Sequence, residues 1–190
     1  RSRNDRGGYR RVDPREEAEE NENQLEGRNA VTEALRSGRT IDKVFVASGD
    51  TDRSLQHLAA EAKKAGAVVV EVDRRKLDFM STTRSHQGII ALAAAREYCN
   101  IDDILQEAAD RGENALIVIC DELSDPHNLG AILRTAECAG DHGVIIPKRR
   151  SVGLTATVAK AAAGAVEYMK VAKVSNINNA IAELKEKGVW

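Results

Sequence analysis

Apolar residues at 55, 58, 59 and 62 recur at the spacing that keeps one face of a helix apolar, and Gly66 follows where such a helix would stop. The stretch "DRSLQHLAAEAKKAG" is therefore predicted as a helix. On either side the pattern changes. "IDKVFVAS" and "AVVVEV" are short apolar runs rich in valine and read as strands, the second a buried one. "GRNAVTEALRSG" predicts a short helix ending at Gly38, "RRKLDFMS" another, and "QGIIALAA" a further strand. Helices alternating with strands indicate a compact α/β unit over residues 25–97.

A connector over 98–113 carries one more amphipathic helix. From 114 the alternation resumes. "ALIVIC" is a strand, then comes a helix with apolar positions 129, 132, 133 and 136, then the strand "HGVIIPK". "GLTATVAKAAAG" predicts a helix ending at Gly164, and "VEYMKVAKV" a strand. "SNINNAIAELKEKG" predicts a helix with Ser175 as N-cap and Gly188 as its stop. Val189 and Trp190 read as the first residues of another strand. Residues 1–24 differ from all of this. Six arginines are followed by five glutamates, with almost no large aliphatic side chain. Such a segment cannot bury enough apolar surface to offset its ordering entropy, so a disordered charged tail is predicted. Its opposite charges nearly cancel within one screening length, which favours a solvated extension over a basic arm.

Composition narrows the chemistry. A chain of 190 residues that is 42% hydrophobic can bury a real core. Its net charge of −2 does not mark it as a nucleic-acid binder, although averages hide local patches. Cys99, Cys120 and Cys138 have no CxxC spacing and read as free thiols of a reducing cytoplasm. No apolar run is long enough to span a bilayer, and no signal-peptide pattern is present, so a cytoplasmic protein without a membrane partner is expected. Neither GxGxxG nor GxxxxGK[ST] occurs. His127 lacks a second His or Cys at ligand spacing, so no metal is expected. Six aromatic residues leave little for generic base stacking.

The loop after "ALIVIC" is the richest stretch: "DELSDPHNLGAILRTAECAG". In open parallel sheets, ligands sit beyond the carboxyl ends of the strands, which is where this loop falls. Asp125-Pro126 pre-sets a turn. Asn128 stands where the helix begins, and its plain role is an N-cap helped by Asp125. Arg134 lies off the apolar stripe, so packing does not require it, and its plain role is a solvated surface arginine. Gly130 weakens a helix and is explained by the close approach of another backbone or of a ligand.

"DPHNLGAILRTAECAGDHGVIIPKRR" resembles the first signature motif of SpoU-type RNA 2′-O-ribose methyltransferases, a SPOUT-class family with a knotted α/β catalytic domain. "EGRNAVTEAL" and "SHQGIIALAA" resemble the small ribosomal-protein-like α/β domain that precedes it in the bacterial branch acting on 23S ribosomal-RNA guanosines. With "TATVAKAAAGAVEYMKVAKVSNI" and "ELKEKGVW", the resemblance covers about residues 25–190. It implies an RNA substrate-binding α/β domain followed, from 114, by the first part of a SPOUT α/β-knot domain. It implies transfer of a methyl group from S-adenosylmethionine to a ribose 2′-hydroxyl of ribosomal RNA, and a homodimer.

Asn128 and Arg134 match the family's catalytic Asn and Arg. The arginine would hold the neighbouring phosphate and stabilise the developing alkoxide, and the asparagine would orient backbone or substrate. The resemblance also implies RNA-binding roles for Arg28, His86 and Gln87, and for Lys148, Arg149 and Arg150 on a loop after a strand. Plainer roles stand beside these: His86 capping a turn, and three solvated cations. The family's second and third motifs, a Gly-rich turn with a glutamate and a Ser/Asn-rich loop, do not occur in the 190 residues. They build most of the donor pocket, so the resemblance implies a truncated, inactive chain whose donor site lies downstream of Trp190. The alternative is a non-enzymatic RNA-binding protein using the same folds.

Overall fold

A computed structural model of the chain describes residues 23–190. The charged tail expected over 1–24 therefore lies outside the described residues, except at its end, where Gln24 already belongs to a strand.

The first unit comprises β1 (Gln24–Glu26), α1 (Arg28–Arg36), β2 (Ile41–Ala47), α2 (Arg53–Lys64), β3 (Val68–Val72), α3 (Arg74–Met80) and β4 (Ile89–Ala93). Its sheet runs β1-β4-β2-β3, with only the β2–β3 pair parallel. The alternation of side chains along β2 and β4 divides the core between two faces. Val44, Val46, Ile89 and Ala91 meet α1 and α2 through Val31, Ala34, Leu55, Leu58 and Ala62. Ala47 and Ile90, on the other face, meet α3 through Leu77. Val68, Val69 and Val70 are only half-buried, contrary to the buried strand expected, because β3 is an edge strand. Asp52 starts α2 and Asp73 starts α3, each accepting a backbone N–H two residues on.

The second unit comprises α4 (Ile101–Arg111), β5 (Ile117–Ile119), α5 (Pro126–Ala139), β6 (Gly143–Pro147), α6 (Ala156–Ala161), β7 (Val171–Val174) and α7 (Ile177–Glu186). Its three strands are parallel in the order β5-β6-β7. Val144, Ile146 and Val171 face α5 and α6. Ile145 and Ala172 face α4 and α7, so the helix of the connector covers this sheet. Gly130 explains how α5 and α6 come together: a Cβ there would overlap the Ala161 side chain and lie 2.9 Å from its carbonyl carbon. The close neighbours are the Ala161 methyl and the backbone behind it.

Several expected boundaries move. Asp125, not Asn128, caps α5. Asn176, not Ser175, caps α7, accepting the Asn179 N–H at 3.1 Å. The helix expected to reach Gly164 ends at Ala161, because Ala163 and Gly164 take positive φ and turn the chain into a 3₁₀ turn at Ala165–Glu167. That turn takes the start of the expected strand, and β7 begins only at Val171. Val189 does not open a strand; its N–H closes α7 by bonding the Leu184 carbonyl at 2.9 Å. No helix among the described residues is long and apolar enough to cross a membrane.

A polar latch joins the units. The β2–β4 register shifts between Ile41 and Lys43, making Asp42 the extra residue. Such a bulge re-aims a side chain. Here the Asp42 carboxylate accepts from Lys173 of β7, both side chains being nearly buried, and from the Tyr98 hydroxyl at 2.9 Å. The same hydroxyl accepts the Leu154 N–H at 2.8 Å, and the Lys173 ammonium lies 4.7 Å from the Tyr98 ring centroid. Burial, with Asp42 beside it, holds the Tyr98 phenol far above its ordinary range, so it stays a donor at all working pH. Gly153 completes the fit, since any Cβ there would overlap Asp42.

Candidate functional site

All three strands of the second sheet point the same way, so the loops following β5, β6 and β7 share one edge. The first leads through Asp125-Pro126 into α5, where the Asp125 side chain accepts the His127 N–H at 2.8 Å. Leu129, Leu133 and Ala136 are buried, and Ile132 packs at their margin. Asn128 and Arg134 are both exposed. Arg134 has no carboxylate partner among the described residues. The two side chains are not neighbours along the helix. Six positions separate them by about 9 Å along the axis and about 120° around it, so only a ligand larger than a single group reaches both.

The basic loop after β6 divides. Lys148 and Arg149 line a cleft between the units of about 650 Å³. Arg150 points elsewhere and pairs with Glu122 at 3.3 Å on the surface.

The tip of the first unit holds the other sequence-derived residues. Arg28 donates from Nη1 to Asp52 at 2.6 Å and from Nε to the Gln87 carbonyl at 3.3 Å. Its backbone N–H bonds the Gln87 side-chain oxygen at 3.2 Å. Arg28, Asp50, Arg74 and Gln87 line a small hollow of about 390 Å³. The structure buries His86. It is 4% exposed. Its Nδ1 accepts the Gly88 N–H at 3.0 Å, so Nε2 carries the proton and donates to Asp78 at 2.9 Å. No ring nitrogen is left for RNA, and its part is the turn-capping one.

Sequence reasoning missed Glu26. Its carboxylate accepts from Ser81 at 2.6 Å, from the Thr82 N–H at 2.7 Å and hydroxyl at 2.8 Å, and from Thr83. Burial opposes its ionisation, but the bonds from Ser81, Thr83, Thr82 and Gln24 outweigh it and hold the carboxyl well below the usual range. Glu26 thereby fixes the loop that carries Arg84 and Gln87, both at positive φ. Its partners in that loop are more than fifty residues away, and no local pattern announces them. The thiols play no such part. Cys99, Cys120 and Cys138 are free. Burial, with Asp103, pushes Cys99 up to about 11, and burial raises Cys120 as well, so neither is a thiolate nucleophile at neutral pH.

Two family models match the chain: "RNA 2'-O ribose methyltransferase substrate binding" over residues 24–99 and "SpoU rRNA Methylase family" over residues 115–190. The Bacillus subtilis protein named "Putative TrmH family tRNA/rRNA methyltransferase YacO" is 47% identical over 164 residues, covering 86% of this chain and 66% of its own. A Staphylococcus haemolyticus protein of the same family is 46% identical over the same extents. The chain thus spans just under two thirds of these relatives' length, at 66%. Among solved structures it is similar to an rRNA methyltransferase from Sinorhizobium meliloti, at 24% identity over 85% of this chain and 57% of that one, with a TM-score of 0.41.

Proposed function

We propose, for a chain that belongs to the SpoU family through both a substrate-binding and a methylase domain, that the protein methylates a ribose 2′-hydroxyl of ribosomal RNA, at a 23S guanosine, as a homodimer. S-adenosylmethionine is the methyl donor in this reading, supplying an electrophilic methyl group. The observation that carries it is Arg134, an exposed cation without a carboxylate partner among the described residues, on a helix whose other face is core.

A hydroxyl is a weak nucleophile and needs its developing charge stabilised. The planar Arg134 fork holds a neighbouring phosphate by two bonds and leaves its positive charge beside the attacking oxygen. The Asn128 amide, at the strand-edge end of the same helix, orients backbone or substrate. Arg28 and Gln87 meet the RNA from the first domain. Neither Asn128 nor Arg134 lines the cleft between the units or the hollow at Arg28. The chemistry assigned to the chain is that of its own side chains.

The test is single-turnover methylation of ribosomal RNA by the full-length protein, with digestion to nucleosides. The label is expected in 2′-O-methylguanosine. Arg134→Ala is expected to slow transfer by about 100-fold, the scale of losing one transition-state donor. It should shift stability by no more than about 0.5 kcal/mol, as at ordinary surface sites. Leu133→Ala, at a fully buried position, should instead cost about 2–5 kcal/mol of stability. Label on a base, or an unchanged rate for Arg134→Ala, overturns the assignment.

A further inference from the structure

We infer that the cleft between the two domains is a binding groove for the phosphodiester backbone of the RNA, with Lys63, Lys148 and Arg149 as its contacts; this rests on the reading of the chain as an RNA-modifying protein. The cleft, of about 650 Å³, has one wall from each domain. Lys63 comes from the end of α2, and Gly66 from the turn before β3. Lys148 and Arg149 come from the loop after β6, and Ser175 precedes α7. Lys148 reaches across: its ammonium would lie 3.7 Å from a Cβ placed on Gly66.

Among the described residues some cations are paired and others, Lys64 and Arg134 among them, are not: Arg28, Arg96, Arg111, Arg150, Lys170, Lys173 and Lys187 each have a carboxylate within 4 Å. Lys63, Lys148 and Arg149 have none among the described residues, and Glu71 is the one carboxylate in the cleft lining. Three like charges gathered on facing walls repel one another unless an anion lies between them. Ser175 adds a neutral polar side chain to the same lining. The Asp42–Lys173 latch joins the two domains that supply these walls. The groove opens at the carboxyl edge of β6 and β7, the edge shared with the loop that leads to Asn128. A strand of RNA lying in it is thereby led toward the motif helix.

Lys64 supplies the control. It adjoins Lys63 and carries the same charge, but lines a separate groove with Arg36 and Glu61. A labelled single-stranded RNA oligonucleotide is titrated with the 190-residue chain by fluorescence anisotropy over a series of salt concentrations. Lys63→Ala and Lys148→Ala are each expected to lower the slope of log affinity against log salt by about 0.7, the value for one phosphate on a single strand. That corresponds to about fivefold weaker binding at 0.1 M salt. Lys64→Ala should keep the parent slope. Equal losses for Lys63→Ala and Lys64→Ala would mean a diffuse field and overturn the groove. So would a parent slope for Lys63→Ala. Absence of RNA binding by the unsubstituted chain would instead count against the functional reading itself, which separates the two failures.

Discussion

Glu26 concentrates on one carboxylate the order of a whole loop, and its ionisation makes that order depend on pH. Its folded pKa is depressed, so the stability it contributes is fully present above the ordinary glutamate value of about 4.3 and is lost as pH falls through the folded value. Glu26→Gln keeps the shape and removes the charge. The variant is expected to melt below the parent at pH 7, and the gap is expected to narrow at pH 3, as protonation begins to remove the parent's advantage. Thermal unfolding at the two pH values checks this. A gap that stays constant or widens in acid would show that Glu26 acts through packing rather than charge.

At the scale of elements, α5 and α6 pack closely, and Gly130 sets their distance. Ala is the better helix former by about 1 kcal/mol. At 130, however, its methyl meets Ala161 and the backbone behind it, so overpacking should dominate and Gly130→Ala should destabilise by about 1–3 kcal/mol. Urea unfolding gives the answer, and a raised midpoint would contradict the packing described. The long periodic helices were legible in the sequence because their stripes are set by the core they face: Leu129, Leu133 and Ala136 are buried as their spacing requires. Three-residue β1 was not, since three positions carry no period. The early end of α6 was hidden in a run of alanines that would suit a longer helix, until Ala163 and Gly164 adopt positive φ. The motif helix could be read locally, as could the basic loop after β6. The burial of His86, the role of Glu26 and the other wall of the cleft could not, because each depends on partners brought together only by the fold.

At the scale of the whole molecule, the latch sets how the two domains meet. Removing one side of a buried ion pair costs about 3–5 kcal/mol, whereas replacing both sides with apolar groups is often near neutral. Asp42→Leu and Lys173→Met are each expected to destabilise the chain, and the double variant by clearly less than the sum. Chemical denaturation of the four proteins measures this coupling, and strict additivity would show that the pair contributes nothing jointly. The latch also limits how such a protein can be recombined. Asp42 lies in one domain, Gly153 and Lys173 in the other, with Tyr98 between. A first domain grafted onto a different second half meets a mismatch unless the newcomer brings a cation at 173 and no side chain at 153. The four positions thus form one module that cuts across the domain boundary, and a change at any one of them constrains the other three.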